Sequence, residues 1–194
     1  MELYTNWHEW RQAEPDLRRL LPEATCDAVA KAVEFAIRWH GAQRRPTGAP
    51  YLEHLLEALE VLVRGAGITD AEVLCAAVLH DVVEDTPCTL TDVRLEFGDR
   101  VADLVGWVTI PETDGDRKAA KEAYLTGLRR APDDAILVKL ADRVSNVQTL
   151  RNLSLPKQRE YYAQTVRHIM PLAASRNWFA TWYASWQEEH RDLG

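Results

Sequence analysis

The chain has 194 residues, of which 46% are hydrophobic and 27% are charged, and its formal net charge is −7. A domain commonly has about 150 residues, so we expect one globular domain with a well-buried core. Nucleic acids and anionic membranes are bound by basic surfaces, so the acidic balance argues against both as partners.

The sequence also bears on location and redox state. The N-terminus lacks the basic and apolar regions of a signal peptide, and no apolar run approaches the ~18 residues of a spanning helix. We therefore expect a cytoplasmic protein. The three cysteines, Cys26, Cys75 and Cys88, form no CxxC pair, which favours reduced, packed thiols over a disulfide scaffold or a zinc ribbon.

The N-terminal residues 1–24 are predicted to be a helical extension that packs on one compact domain, residues 25–194. Trp7, Trp10 and the leucines after Pro15 indicate one or two short helices there. Thr25 is predicted to cap the next helix, which should end near Gly41.

Two arginines, Arg44 and Arg45, lie in a segment (42–50) that contains two prolines and a glycine, so we expect a constrained loop. The helix that follows has leucines at helical spacing and should end at Gly65 or Gly67. His54 lies beside its buried stripe.

The central run, residues 73–86, is apolar on nearly every side and is predicted to form one buried helix. It is interrupted by His80, Asp81, Glu84 and Asp85. Buried charges need a counter-charge or hydrogen bonds, so these residues imply a cation, catalysis or both. In a helix His80 stacks with Glu84 and Asp81 with Asp85. We therefore predict that His80 and Asp81 bind a metal ion, and that Glu84 and Asp85, one turn further, reach a water or phosphate bound to that ion.

Helical signals continue through the rest of the chain. Thr89 and Asp92 predict a helix start and Gly98 its end, an apolar helix is expected over 99–108, and 114–130 should be a solvated helix or partly mobile. Alternating strand patterns are missing from the sequence, so we predict an all-α fold.

A second apolar run with ionisable residues begins at a predicted helix start, Asp133. Within it Asp142 and Asn146 repeat the four-residue spacing, with Lys139 and Arg143 flanking Asp142. Adding His54 gives two imidazoles and two carboxylates from three helices. Such a set without thiolates suits manganese, iron or zinc, with room for water.

Simpler interpretations compete with each of these assignments. A lone histidine on an apolar helix is more often a core residue than a ligand. Glu84 and Asp85 can instead cap a helix or pair with Arg143, and the arginine loop can be an ordinary solvated loop. Trp178, Trp182 and Trp186, four residues apart, favour a core or oligomer contact over base stacking, because no basic residues interleave them.

Four ordered motifs resemble those of the HD-domain hydrolases, and more narrowly the hydrolase half of the RelA/SpoT homologue family with its free-standing small alarmone hydrolases. The resemblance covers most of residues 36–165. The motifs are His40-Gly-Ala-Gln-Arg-Arg-Pro-Thr-Gly-Ala-Pro-Tyr-Leu-Glu-His54, Ala76-Ala-Val-Leu-His-Asp-Val-Val-Glu-Asp-Thr86, Phe97-Gly98 with Val108-Thr109, and Lys139-Leu-Ala-Asp-Arg-Val-Ser-Asn146.

The resemblance implies a helical HD-domain bundle that removes the 3′-pyrophosphate of guanosine tetra- or pentaphosphate with one Mn²⁺ ion, Fe²⁺ and Zn²⁺ being alternatives. By motif position the metal ligands would be His54, His80, Asp81 and Asp142. Glu84 and Asp85 would activate water, Asn146 would contact water or nucleotide, and the substrate contacts would be Arg44, Arg45, Lys139, Arg143 and Tyr161.

Two other functions are compatible with the same scaffold. One is a phosphatase acting on another nucleotide, such as the 2′-phosphate of NADPH or a nucleoside monophosphate, which would release orthophosphate. The other is a non-catalytic nucleotide-binding module, which a degenerate site would indicate. A homo-oligomer is compatible with the tryptophan face.

Overall fold

The computed structural model describes residues 1–45, 47–111 and 113–194. Within these ranges the regular secondary structure is helical, and the only β-type pairing is one isolated bridge between Arg44 and Pro50. The predicted all-α fold is confirmed. The helices are α1 (Trp10–Leu20), α2 (Glu23–His40), α3 (Tyr51–Glu60), α4 (Ala71–Leu79), α5 (Val82–Asp85), α6 (Leu90–Phe97), α7 (Asp99–Val108), α8 (Arg117–Gly127), α9 (Asp133–Val147), α10 (Leu155–Gln164), α11 (Met170–Ala173) and α12 (Asn177–Glu189).

Short segments of other helical types extend these elements. A π-turn, Val61–Gly65, continues α3, and a second, Thr165–Ile169, joins α10 to α11. Three 3₁₀ turns cover Leu128–Arg130, Leu150–Asn152 and Arg191–Leu193. Among the described residues, none of the helices combines the length and the apolarity needed to cross a membrane.

Helix α4 lies at the centre of the bundle, where it packs against α2, α3, α7 and α9. Its residues from Val73 to Leu79 are all buried, which explains why this run is apolar on every side. Helix α9 is buried over most of its length and packs against α3 and α4. The ionisable residues of these helices are therefore held in the core.

The central run is not one helix, so that prediction is wrong. Helix α4 ends at Leu79, His80 and Asp81 form a turn, and α5 begins at Val82. Asp81 has φ −101° and ψ −3° instead of regular helical angles. Consecutive helical residues point about 100° apart. The turn instead lets the side chains of His80 and Asp81 meet at 3.1 Å.

Other boundaries agree more closely with the sequence. Helix α2 begins at Glu23, two residues before the predicted cap Thr25, because Pro22 takes the N-cap position and its carbonyl accepts from the Cys26 amide. It ends at Gly41, whose φ of 53° suits glycine. Thr89 and Asp92 form a capping box at the predicted helix start. The loop 42–50 contains Pro46, which lies outside the described residues.

The terminal segments join the same core. Tyr4 and Trp7 are buried with it, and the backbone of Tyr4 exchanges two hydrogen bonds with the Gln148 side chain, just beyond α9. Trp182 and Trp186 are buried, and the Trp186 indole donates to the Val147 carbonyl. The face formed by Trp178, Trp182 and Trp186 therefore contributes to the core. The domain boundary at residue 24 stays a prediction.

Candidate active site

Two histidines and an aspartate converge where α3, the turn after α4, and α9 meet. The Nε2 atoms of His54 and His80 are 3.0 Å apart, and Asp81 Oδ2 lies 3.3 Å from the first and 3.1 Å from the second. One ligand atom from each of the three residues falls within 4.8 Å of the others. This His/His/Asp group is suited to holding a metal ion.

Asp142 approaches the same group from α9. Its Oδ1 lies 3.4 Å from His54 Nε2 and 3.5 Å from His80 Nε2, although it is not part of the tightest three-residue group. Lys139 Nζ binds the other carboxylate oxygen at 2.8 Å, and Asn146 Nδ2 donates to Oδ1 at 2.5 Å. The structure thus brings together all four residues that the sequence predicted as ligands.

The distances between the donor atoms of the four side chains fit the binding of one shared metal ion. Donor atoms around a first-row ion at about 2.1 Å are themselves about 3.0 to 3.4 Å apart. Those measured here run from 3.0 to 3.5 Å. The Nδ1–H of His80 donates to the Ala77 carbonyl at 2.7 Å, so Nε2 is the ring nitrogen directed at the group.

The electrostatics also favour positive charge at this point. Burial disfavours the ionised carboxylates, but the neighbouring imidazoles hold the pKa of Asp81 well below its usual range, and Lys139 with the imidazoles does the same for Asp142. Burial likewise opposes protonation of His80, yet Asp81 and Asp142 raise its pKa well above the usual value. The carboxylates therefore stabilise a cation between the four side chains.

A cavity of about 220 Å³ opens above this group. Three of the four convergent residues line it, namely His54, Asp81 and Asp142. Glu84, Asn146 and further residues of α8, α9 and α10 also belong to the lining. The positively charged residues that line it are Arg45, Lys121, Lys139 and Arg143. A cavity walled in this way suits a polyanionic ligand.

Glu84 and Asp85 take different positions. Glu84 lines the cavity, and its Oε2 accepts from the Ile110 amide at 2.9 Å. Burial raises the pKa of Glu84. Asp85 is not among the described residues that line the cavity, and it accepts from the Gln43 side-chain amide at 3.2 Å. Neither forms the alternative ion pair with Arg143 within the described part of the chain.

The two loop arginines also separate. Arg45 lines the cavity and pairs with Glu57 on α3 at 3.0 Å. Arg44 donates to the Gly48 carbonyl within its own loop at 2.8 Å and is absent from the cavity lining among the described residues. A substrate contact by Arg44 stays a prediction.

Arg143 is a buried part of the cationic wall of the cavity. Its guanidinium lies 5.2 Å from the centre of the Tyr161 ring, and the residue is 4% exposed. Its Nε and Nη1 are buried without a hydrogen-bond partner among the described residues. Buried donors of this kind are costly unless a ligand satisfies them, so Arg143 is poised for an anionic group.

Sequence reasoning missed several residues at the site. Tyr51 donates to Asp81 Oδ2 at 2.5 Å, and Lys121 and Tyr124 of α8 line the cavity. Tyr51 stands inside a motif that the resemblance used, so its place before His54 was a usable signal. Lys121 and Tyr124 belong to the segment predicted as solvated or mobile, and their sequence pattern carries no comparable signal.

Residues 32–177 match the sequence profile of the HD domain. The chain belongs to the HD-domain family. The matched stretch contains His54, His80, Asp81 and Asp142, and a helical HD-domain bundle is therefore confirmed.

Relatives place the chain with the RelA/SpoT-type hydrolases. It is 41% identical over 128 residues to the human guanosine-3′,5′-bis(diphosphate) 3′-pyrophosphohydrolase MESH1, covering 63% of this chain and 69% of that protein. It is 36% identical over 165 residues to the protein of that enzyme name from Aquifex aeolicus, covering 82% of this chain but 23% of the relative. The chain spans less than a quarter of such long relatives.

A solved structure agrees with the sequence comparisons. The structure of a metazoan ortholog of SpoT, described as hydrolysing ppGpp, superposes with a TM-score of 0.78 at 28% identity. The superposition covers 89% of this chain and 98% of that one. The resemblance to RelA/SpoT-type HD domains is thus confirmed in sequence and in fold.

Proposed function

We propose that this HD-domain chain is a metal-dependent pyrophosphohydrolase that removes the 3′-pyrophosphate of guanosine tetra- or pentaphosphate, giving GDP or GTP and pyrophosphate. The observation that carries the proposal is the His/His/Asp group at the floor of a cavity with a cationic wall. The enzyme names of the human and Aquifex aeolicus relatives support this substrate.

His54, His80, Asp81 and Asp142 would hold one Mn²⁺ ion, with Fe²⁺ and Zn²⁺ as alternatives that the same donor set accepts. When bound, such an ion supplies Lewis acidity, which polarises a phosphate oxygen and makes a neighbouring water easier to deprotonate. Tyr51 and Lys139 each occupy one carboxylate oxygen of this set and so fix the orientation of Asp81 and Asp142.

Glu84 is the group that we assign to take the proton from the attacking water. It faces the cavity, and its raised pKa makes it a stronger base than an exposed glutamate. The Ile110 amide donates to one of its oxygens, and the other has no hydrogen-bond partner among the residues that the structure describes. Asp85 would assist in activating the water from outside the cavity lining, where it accepts from the Gln43 side chain. Asn146 lines the cavity and orients Asp142 by donating to its carboxylate.

The cationic wall would bind the substrate phosphates. Arg45, Lys121, Lys139 and Arg143 offset locally the repulsion that a net charge of −7 exerts on a polyanion. At about 220 Å³ the cavity is smaller than typical pockets for drug-sized ligands, about 300 to 1,000 Å³. We therefore assign it to the phosphate-bearing end of the nucleotide, with Tyr161 along one side.

The test is a product assay with manganese-loaded protein and guanosine tetraphosphate. We expect GDP and pyrophosphate in equal amounts, and none after the metal is removed with a chelator. Absence of turnover with the loaded protein would refute the proposal. Release of orthophosphate from NADPH or a nucleoside monophosphate, without pyrophosphate release from guanosine tetraphosphate, would instead identify a phosphatase on this scaffold.

A further inference from the structure

A buried chain of hydrogen bonds links the cavity wall to a residue of the metal-binding group. Arg45 Nη1 lies 3.0 Å from Glu57 Oε1, Ser145 Oγ lies 2.5 Å from Glu57 Oε2, and His54 Nδ1 lies 2.7 Å from Ser145 Oγ. Glu57 and Ser145 are 3% and 1% exposed, so water does not compete with these contacts. We call these residues the Arg45–His54 relay.

The chemistry of the groups fixes the direction of each proton. An ionised carboxylate only accepts, so the Ser145 hydroxyl donates its single proton to Glu57. Towards His54 the hydroxyl oxygen must then accept, which makes Nδ1 of His54 the protonated nitrogen. The other contact open to Ser145, the His54 carbonyl at 3.5 Å, is much longer.

We propose that Glu57 and Ser145 are positioning residues that hold His54 in the tautomer whose Nε2 lone pair faces the metal-binding group. Partners of this kind around a metal-binding histidine commonly contribute a factor of about 10 to 100 in metal affinity. His80 obtains the same tautomer from the Ala77 carbonyl, three residues earlier in its own segment. His54 obtains it from a side chain 91 residues away, so a single substitution can remove it.

The relay also orients the Arg45 side chain. A carboxylate buried like Glu57 needs a counter-charge, and Arg45 supplies one while it lines the cavity. Glu57 therefore orients the arginine towards the substrate phosphates and, through Ser145, the imidazole towards the metal. This second part rests on the proposed function, whereas the tautomer of His54 does not.

Metal affinity tests the first part without any turnover. Mn²⁺ binding to the purified full-length chain would be measured by competition with a fluorescent metal indicator. We expect Ser145→Ala to weaken Mn²⁺ binding about 10- to 100-fold and Ser145→Thr, which keeps the hydroxyl, to retain most of it. Thr165→Val is the matched control, because it removes a buried hydroxyl that has no hydrogen-bond partner among the described residues.

Two results would overturn the assignment. One is wild-type Mn²⁺ affinity in Ser145→Ala with the fold intact by circular dichroism. The other is an equal loss in Thr165→Val, which would attribute the effect to general destabilisation. Both readouts are independent of the substrate, so they stand even if guanosine tetraphosphate is not hydrolysed.

Glu57→Gln separates the two ends of the relay. The glutamine carbonyl can still accept from Ser145, so Mn²⁺ affinity should change by only a few-fold. Arg45, however, loses its nearer carboxylate partner at 3.0 Å and keeps only Glu53 at 3.9 Å. We expect binding of guanosine tetraphosphate to the metal-free protein to weaken about tenfold, the size of one charged hydrogen bond. Unchanged nucleotide affinity, or a loss of Mn²⁺ affinity as large as that of Ser145→Ala, would contradict this division.

Discussion

Asp81 and Glu84 lie three residues apart and are both acidic, yet their surroundings give them opposite properties. Neighbouring imidazoles hold the pKa of Asp81 well below its usual range, whereas burial raises that of Glu84. A carboxylate that stays ionised suits a metal ligand, and one with a raised pKa suits a general base. The two residues should therefore fail in different ways when they are replaced.

We predict that Asp81→Ala abolishes Mn²⁺ binding, while Glu84→Ala keeps the ion but lowers turnover by a factor of about 10² to 10⁴. Asp81 contributes an oxygen within 3.3 Å of both imidazole nitrogens, whereas Glu84 faces the cavity. Metal analysis of the dialysed variants and a pyrophosphate assay would check both effects. A Glu84→Ala protein without metal, or an active Asp81→Ala protein, would contradict the assignment.

The sequence identified residue types at the site better than it identified contacts. Buried acids and histidines stood out because charges interrupt apolar runs, and the structure brings His54, His80, Asp81 and Asp142 together. Glu57 and Ser145 did not stand out, since a glutamate and a serine are ordinary on a helix. Their contact joins residues 88 positions apart, which only the packing of α3 against α9 creates.

At the scale of secondary-structure elements, the break between α4 and α5 is the main departure from the sequence prediction. The segment from Leu79 to Val82 contains no glycine or proline, so local propensity indicates one continuous helix. The turn instead brings consecutive polar side chains to one point in the core. Tertiary contacts of His80 and Asp81 with His54 and Asp142 override the local preference there.

The end of α3 offers a prediction about packing. A Cβ atom on Gly65 would overlap Cζ2 of the Trp178 indole, whereas a Cβ atom on Gly106 of α7 would meet the flexible Leu90 side chain at 3.3 Å. We expect Gly65→Ala to reduce the free energy of unfolding by about 1 to 3 kcal/mol because of this overlap. Gly106→Ala is the matched control and should be neutral or stabilising by up to about 1 kcal/mol.

Urea unfolding of the two glycine variants would measure the difference. Equal stability of Gly65→Ala and the wild type would mean that Trp178 moves aside at no cost. That outcome would contradict tight packing of the π-turn after α3 against the Trp178 indole of α12.

At the scale of the whole molecule, the metal-binding group joins three parts of the chain that are far apart in sequence. His54 belongs to α3, His80 and Asp81 follow α4, and Asp142 belongs to α9. A cation there should stabilise the folded state alone, because the unfolded chain separates these side chains. With free Mn²⁺ at about 100 times its dissociation constant we expect about 2.7 kcal/mol of stabilisation.

Thermal unfolding with and without a chelator would test this prediction. We expect the melting temperature to fall when the chelator is present and to recover when excess Mn²⁺ is added. The Asp81→Ala protein is the control and should show no dependence on Mn²⁺. An equal response of this variant would indicate that the ion acts elsewhere on the chain.

The alkaline limit of stability follows from buried acids outside the site. Burial raises the pKa of Cys75 to about 12, that of Cys88 to about 11 and that of Tyr4 to about 12. The ordinary values of these groups are 9.0 for the thiols and 10.0 for the phenol. Between each pair of values the folded chain keeps a proton that the unfolded chain has lost, so stability must decrease as the pH rises.

We therefore expect the free energy of unfolding to be insensitive to these groups below about pH 9 and to fall steadily from there towards pH 11. Urea unfolding at a series of pH values would measure the slope, and Cys75→Ala would serve as the comparison because it removes one of the titrating groups while leaving Cys88 and Tyr4 in place. The variant starts from a lower stability, since a buried sulfur is lost, but its decline above pH 9 should be shallower. Parallel slopes would show that the Cys75 thiol ionises equally easily in both states, contrary to its burial in the centre of α4.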